Sequence, residues 1–301
     1  MPQFLFITGS HKSGTSWLAR MVGAHPRIAI PEQEMWLLGH NNGLSECVER
    51  SVAEWFKLPT VKSQFPTKKD MNIATKKIMR GALRGAIDAS VSGLKGIEVL
   101  GDKTPAFYAE NAKRLKWLYP DAHYVQIVRD PRDVVVSHHF HAYRLKEWKF
   151  FHDTEKAQQV QSRIEAGESV GHELLDEGAL QRNLRNWMRV QQRGIDAENL
   201  FPGRYYMLRY EDLLVDAAPH LQTIFSLTGV PLEAPQIEEI VGRFSFENMT
   251  RGRSAGEEDA SSFFRKGVSG DWNNYFTAEQ NAYVWEKAGE LMRRFEYTDE
   301  A

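Results

Sequence analysis

Short runs of consecutive apolar residues alternate along the chain with longer stretches whose apolar residues have a helical spacing. A short apolar run bounded by turn residues is typical of a strand buried in a parallel sheet. Such runs lie at residues 4–7, 97–100, 123–129 and 204–208. Helical spacing predicts helices at 76–90, 106–118, 132–146, 178–199 and 211–228. Strands alternating with helices predict an α/β fold, with a central parallel sheet flanked by helices.

Two stretches lack a clear pattern. Residues 155–178 are polar and charged, which predicts a solvated helix or a loop. Residues 250–262 are rich in Gly, Ser and charge and predict a surface loop. The sequence has no internal repeat and no low-complexity linker, so we expect residues 1–301 to form a single domain.

Composition narrows the possible functions. The net charge of −2 over 301 residues argues against a general nucleic-acid-binding protein, although a local basic pocket stays possible. Cys47 is the only cysteine, so an internal disulfide is impossible, which is compatible with a reducing compartment. The N-terminal sequence has no signal-peptide pattern, and no apolar run is long enough to span a membrane. We therefore expect a cytoplasmic protein whose oligomeric state the sequence leaves open.

The first predicted strand leads into a glycine-bearing loop and then a helix. This arrangement turns backbone N–H groups toward an anion. Gly9 and Gly14 have the spacing of the P-loop of nucleotide triphosphatases, but Thr15 and Ser16 follow where that motif has Lys and Ser/Thr. The lysine lies earlier, at Lys12. The pattern favours an anion held by amides, hydroxyls and one lysine, with no obligatory metal. A strand-to-helix turn with incidental polar residues is the alternative.

The 123–129 strand leads into a second polar segment. It ends at Arg129, and Asp130 and Pro131 follow as the predicted N-cap and first turn of the next helix. Asp130 is the one candidate for a Mg²⁺-holding aspartate after an apolar strand.

Three segments, in order along the chain, resemble the sulfotransferase family. The sequence HKSGTSW at 11–17 resembles the family's 5′-phosphosulfate loop PKSGTTW, and RDPRDVVVS at 129–137 resembles its 3′-phosphate segment. RKGVSGDW at 265–272 is similar to its C-terminal signature RKGxxGDW, which is the most specific of the three, and YEDL at 210–213 resembles a further segment. The matches extend over most of the chain, so chance agreement is improbable.

The resemblance implies a fold, a donor and a set of binding residues. The fold is a single α/β domain related to the P-loop nucleotide kinases. The donor is 3′-phosphoadenosine 5′-phosphosulfate (PAPS), which leaves adenosine 3′,5′-bisphosphate (PAP) as product. The residues implied to bind it are His11, Lys12, Ser13, Gly14, Thr15, Ser16, Trp17, Arg129, Ser137, Tyr210, Phe264, Arg265, Lys266 and Gly267. Arginine forks and glycine amides suit phosphate geometry.

The resemblance also suggests catalytic groups. Lys12 is the first choice for stabilising the leaving group, and Lys103, in a GDKTP segment similar to GEK[ST]P of carbohydrate sulfotransferases, is the second. Steroid and phenol sulfotransferases carry a histidine base two residues after the second lysine, where this chain has Pro105. By likeness to glycan-modifying members, Glu34 would take the acceptor's proton, with Glu32 as the near competitor.

Three points stay open at this stage. His138, His139 and His141 are close in sequence, but successive helical positions point about 100° apart, which favours a polar helix over a metal site. The resemblance implies an acceptor hydroxyl or amine on a small molecule, lipid or glycan, and Glu34 in place of a histidine slightly favours glycan-like and natural-product hydroxyls. A P-loop kinase and a non-catalytic nucleotide-binding module are the competing functions.

Overall fold

Five parallel strands form the centre of the computed structural model, which describes residues 2–39 and 43–299. They are β1 (Gln3–Gly9), β2 (Ile28–Ala29), β3 (Val99–Lys103), β4 (His123–Val128) and β5 (Tyr205–Arg209), in the order β2-β3-β1-β4-β5. In the central strand β1, Leu5 lies beside Gly101 of β3 and His123 of β4. The predicted central parallel sheet flanked by helices is confirmed.

Helices cover the sheet and fill the long connections between its strands. They are α1 (Thr15–Gly23), α2 (Leu44–Trp55), α3 (Pro59–Lys62), α4 (Lys68–Ser90), α5 (Phe107–Glu110), α6 (Ala112–Leu118), α7 (Pro131–Leu145), α8 (Thr154–Glu165), α9 (Glu177–Glu198), α10 (Tyr210–Val215), α11 (Ala218–Leu227), α12 (Ala234–Arg243), α13 (Phe246–Met249) and α14 (Ala278–Arg294). Short 3₁₀ turns lie at Trp148–Phe150, Gly171–Leu174 and Asp271–Asn274.

Several predicted boundaries differ from the observed ones. The predicted strand at 97–100 starts later and runs on to Lys103, and the predicted helix at 211–228 is two helices, α10 and α11. Pro219 lies in the first turn of α11, where its missing N–H has no intrahelical partner to lose. The polar stretch 155–178 contains α8 and a 3₁₀ turn, and 250–262 contains neither helix nor strand, as expected.

Alternation along β1 divides the core into two layers, one on each face of the sheet. Leu5 and Ile7 pack on one face with α1 and α11, whereas Phe4 and Phe6 pack on the other with α4 and α6. A third buried cluster joins α7, α9 and α14. Side chains on a strand alternate between faces, so a run that is apolar throughout is what a sheet covered on both sides requires.

The carboxyl ends of three neighbouring strands bring the polar segments together. β1 ends at Gly9, β3 at Lys103 and β4 at Val128, directly before Arg129. In open parallel sheets this edge is where ligands bind. None of the helices in the described ranges is long and apolar enough to cross a membrane.

Candidate active site

The loop between β1 and α1 exposes the first amides of a helix. Helix α1 begins after Gly14, whose φ of 89° is left-handed and which has no side chain to cap the helix. A Cβ at Gly14 would lie 2.6 Å from the Tyr210 ring, so only glycine fits there. The first N–H groups of a helix have no intrahelical acceptor and carry partial positive charge. The loop is therefore shaped to hold an anion.

Buried amide side chains fix the base of this loop. The Gln191 side chain donates to Ser10 Oγ over 2.8 Å and accepts from Gln126 over 2.7 Å. Tyr205 in turn donates to Gln126 over 2.9 Å. Since each of these polar groups is satisfied by the next, Ser10 is held in one position at the entrance of the loop.

The ammonium group of Lys12 loses its proton more easily than that of an ordinary lysine. Burial, together with the positive charges of Arg144, Arg129 and Arg265, lowers the pKa of its ammonium to about 7. Its Nζ lies 4.6 Å from the centre of the Phe263 ring. Cations gathered in this way fit a ligand with several negative charges.

Arg129 connects the loop to the C-terminal segment. Its guanidinium donates to the carbonyl of Lys12 over 3.1 Å and to that of Val268 over 3.4 Å, and it stacks on Tyr210 at 4.3 Å. Its Nε is buried and has no hydrogen-bond partner within the described part of the chain. Asp133 Oδ2 lies 3.9 Å from Nη2 of Arg129, which makes this ion pair a loose one.

Arg265 and Lys266 are held by carboxylates beside the same cavity. Both pair with Asp271, Lys266 over 2.6 Å, and Arg265 also pairs with Glu258 over 2.7 Å. Gly267 has a φ of 68°, and a Cβ there would lie 2.2 Å from the Phe246 ring. The RKG turn therefore presents fixed cations and a glycine amide. A guanidinium has five N–H donors, so Arg265 can retain its hydrogen bonds to both carboxylates and still donate to a phosphate.

Lys103 and Glu34 form a half-buried polar contact at the other side of the loop. Lys103 Nζ lies 3.1 Å from Ser16 Oγ and 3.4 Å from Glu34 Oε1. Glu34 lines the cavity, whereas Glu32 is 73% exposed and pairs with Arg20. Of the two glutamates, only Glu34 is part of the cavity lining.

The three histidines of α7 are engaged separately. His138 bonds Asn183 over 2.6 Å, His139 bonds the carbonyl of Val135 over 2.8 Å, and His141 contacts Arg144 over 3.0 Å. Burial lowers the pKa of His138 to about 3 and of His139 and His141 to about 4. Within residues 2–39 and 43–299, no group of three or more His, Cys, Asp and Glu could hold a metal. Asp130 is bound by Arg132 over 2.7 Å and caps α7 as predicted.

One cavity of about 490 Å³ joins these elements. Most of the predicted residues line it: His11, Lys12, Gly14, Thr15, Ser16, Trp17, Glu34, Arg129, Ser137, Tyr210, Phe264, Arg265, Lys266 and Gly267. Ser13 does not line it and is fully buried. Lys103 is not part of the cavity lining. Its ammonium group contacts the side chains of Ser16 and Glu34, which both line the cavity.

Part of the cavity wall has no counterpart in the predicted site. Its members are mostly apolar and come from the end of α10 and from the α12–α13 region: Leu213, Leu214, Val215, Ala217, Val241, Phe244, Phe246 and Met249. Trp17 donates its indole N–H to the carbonyl of Phe244 over 2.8 Å and so ties this wall to α1. Such a wall suits a flat heteroaromatic ring.

The family model for the sulfotransferase domain matches residues 2–296. The chain belongs to the sulfotransferase family. Mouse sulfotransferase 2B1 is 23% identical over 286 residues, covering 92% of this chain and 68% of the relative. Human sulfotransferase 2A1 is 23% identical, with 89% and 77% covered. Rat sulfotransferase 1C2 is 25% identical, and the match spans about half of its length, 53%.

Solved sulfotransferase structures share the fold. The sulfotransferase domain of the Synechococcus olefin synthase superposes with a TM-score of 0.56 at 18% identity, covering 99% of this chain and 96% of that one. Mouse SULT7A1, solved in complex with PAP, gives 0.53 at 19% identity, with 98% and 85% covered. The P-loop-like sulfotransferase fold expected from the sequence is thereby confirmed.

Proposed function

We propose that the chain transfers the sulfuryl group of PAPS to a hydroxyl or amine of a small-molecule, lipid or glycan acceptor. The observation that carries this is one cavity lined by the anion-binding loop before α1, with Lys12, and by the cations Arg129, Arg265 and Lys266, together with Ser137 and Gly267. We assign the loop and Lys12 to the phosphosulfate, and Arg129, Ser137 and the RKG turn to the 3′-phosphate. PAPS has a phosphosulfate and a 3′-phosphate at opposite ends, and its adenine would lie against the apolar wall between Trp17 and Phe244.

The protein's part in the reaction is to position charge. Lys12 and the α1 amides would neutralise the negative charge that builds on the departing phosphate and the sulfuryl oxygens. Lys103 would support the same charge through its contact with Ser16 and would hold the Glu34 carboxylate in place. Glu34 would accept the proton of the attacking hydroxyl or amine as the new bond to sulfur forms.

The acceptor would lie against His11, Glu34, Pro105 and His141, which line the same cavity. Pro105 stands where steroid and phenol sulfotransferases have their histidine base, which favours a glutamate base and keeps glycan-like and natural-product hydroxyls as the preferred acceptor class. A cytoplasmic location is part of the proposal, and it is supported by the single Cys47, since no internal disulfide needs an oxidising compartment.

A PAPS-consumption assay against an acceptor library tests the function directly. Mass spectrometry should show an acceptor that gains one SO₃ unit while PAP accumulates. Mg²⁺-dependent turnover of radiolabelled ATP, without PAPS use, would support the kinase instead. Tight PAP binding with no transfer to any acceptor would support the non-catalytic module.

Replacing Arg129 with alanine is expected to weaken PAP binding by at least about tenfold, because charge-assisted bonds to a phosphate are among the strong ones. Isothermal titration calorimetry with PAP measures the change. Arg189→Ala, which removes an exposed guanidinium paired with Glu110, is the matched control and should bind normally. Equal PAP affinity before and after Arg129→Ala would exclude the assigned role.

PAP binding is expected to take up close to one proton at pH 8. With a pKa of about 7, Lys12 is mostly neutral there in the free protein, and the negative nucleotide favours its charged form. Affinity should therefore fall as the pH rises above 7. Calorimetry at pH 8 in buffers of different ionisation enthalpy measures the uptake, which should vanish in Lys12→Met. Identical heats in all buffers for the wild-type chain would contradict this ionisation.

A further inference from the structure

The connection between α2 and α4 is a tip with basic and apolar side chains that contributes no residue to the cavity lining. We define the hairpin tip as residues 55–69. It contains four lysines, namely Lys57, Lys62, Lys68 and Lys69, and no acidic residue. All four lysines are exposed. Lys57 is paired with Glu54 over 2.6 Å, while no carboxylate lies within ion-pair distance of the other three among the described residues.

Apolar side chains share this surface. Trp55, Phe56 and Phe65 form their own aromatic cluster, with ring centroids 5.3 to 5.9 Å apart, and none of them belongs to the three core clusters. Trp55 is 40% exposed and Leu58 is 52% exposed. The tip thus has an aromatic cluster of its own outside the core and leaves the apolar side chains of Trp55 and Leu58 partly in water.

Positive charge continues along α4. The helix carries Lys76, Lys77, Arg80 and Arg84, with Ile73 and Ile78 exposed among them. From Glu54 to Asp88 there are eight Lys and Arg against three Asp and Glu. Because the whole chain has a net charge of −2, the remainder is acidic. Residues 54–88 are therefore net positive while the rest of the chain is net negative, which favours contact of this segment with an anionic surface.

We propose that the hairpin tip docks the protein on anionic lipid bilayers. Lysines beside exposed Trp and Leu match a lipid interface, where the cations meet the headgroups and the apolar side chains enter the acyl boundary. A soluble polyanion such as RNA or a sulfated glycan would satisfy the lysines but offers no acyl layer for Leu58. The apolar half of the tip therefore favours lipid.

Docking at the tip would leave the active site open. Helix α2 starts next to the segment that carries Glu34, since the amides of Leu44 and Ser45 donate to the carbonyls of Trp36 and Leu37 over 3.1 and 2.9 Å. Twelve residues of helix rise about 18 Å. The tip thus lies at the far end of a short rigid spacer from Glu34, and docking itself does not depend on the proposed transfer reaction.

Vesicle flotation with the full chain tests the proposal. The chain should float with vesicles that contain both phosphatidylcholine and phosphatidylserine, and high salt should release it from them. With vesicles of phosphatidylcholine alone, it should stay at the bottom of the gradient. Lys62→Glu with Lys68→Glu should lower the bound fraction at least about tenfold. Lys149→Glu with Lys156→Glu, two exposed lysines outside the tip, is the matched control and should bind normally.

A second pair of variants separates lipid from polyanion. Leu58→Asn keeps every charge and should also lower vesicle binding, whereas Leu94→Asn, an equally exposed leucine beyond the other end of α4, should not. Unchanged thermal melting and PAP affinity verify the fold of each variant. The proposal is overturned if the wild-type chain does not bind anionic vesicles, or if the variant of the tip lysines binds them as well as its control does. It is also overturned if Leu58→Asn binds vesicles normally while heparin or RNA displaces the protein from them. None of these outcomes depends on sulfuryl transfer.

Discussion

Alanine at Lys12 or at Lys103 is expected to lower kcat by about 10²-fold or more, the loss typical for removing one group that stabilises transition-state charge. The structure gives each lysine a fixed place. Lys12 lines the cavity beside the α1 amides without a carboxylate partner in the described residues, and Lys103 contacts both Ser16 and Glu34. Since charge develops mainly in the transition state, kcat should fall more than PAPS affinity.

Single-turnover sulfation with saturating PAPS measures this effect, and PAP titration measures binding separately. Lys95→Ala, an exposed lysine before β3, serves as the control and should keep normal turnover. Lys12→Arg should recover part of the loss, because the positive charge returns in a different shape. If alanine at Lys12 or at Lys103 leaves kcat unchanged, that lysine has no catalytic role.

Glu34→Gln is expected to lower sulfuryl transfer by about 10² to 10⁴-fold, the usual contribution of a general base. The carboxamide has nearly the same size, so the cavity should keep its shape and PAP affinity should stay within about twofold, since Glu34 is proposed to face the acceptor and not the nucleotide. Lys103 loses its carboxylate partner at 3.4 Å, so its own position must be verified in the variant, by crystallography.

Glu32→Gln is the matched control for Glu34. It lies two residues away, is exposed and pairs with Arg20 outside the cavity lining, so transfer should be near normal. The decisive measurement is the rate of the chemical step as a function of pH in both variants. Near-normal transfer by Glu34→Gln, or a large loss in Glu32→Gln, would place the base elsewhere.

Local patterns were the most predictable part of the molecule. The strand-loop-helix at β1 and α1, and the N-cap at Asp130, depend on residues adjacent in sequence, and both are found where predicted. The continuous apolar strands determine a sheet covered on both faces, so the fold class also followed. The split between α10 and α11 was missed because the apolar spacing continues across Asp216 and Ala217.

Contacts between distant segments could not be predicted in the same way. The choice between Glu34 and Glu32 depends on Lys103, nearly seventy residues later, and on Arg20. The apolar wall at Phe244, Phe246 and Met249 joins the cavity through tertiary packing against Trp17. Ser13 belongs to the matched motif, yet it is fully buried and does not line the cavity, because backbone geometry and not residue type decides which residues of the loop face it.

A crystal structure with adenosine 3′,5′-bisphosphate tests most directly whether two cationic clusters bind opposite ends of one nucleotide. The account predicts the 5′-phosphate at the Gly14–Trp17 amides and Lys12, and the 3′-phosphate within hydrogen-bond distance of Arg129, Ser137 and Arg265. A nucleotide that leaves the glycine loop without a phosphate, with Arg265 far from any phosphate oxygen, would contradict it.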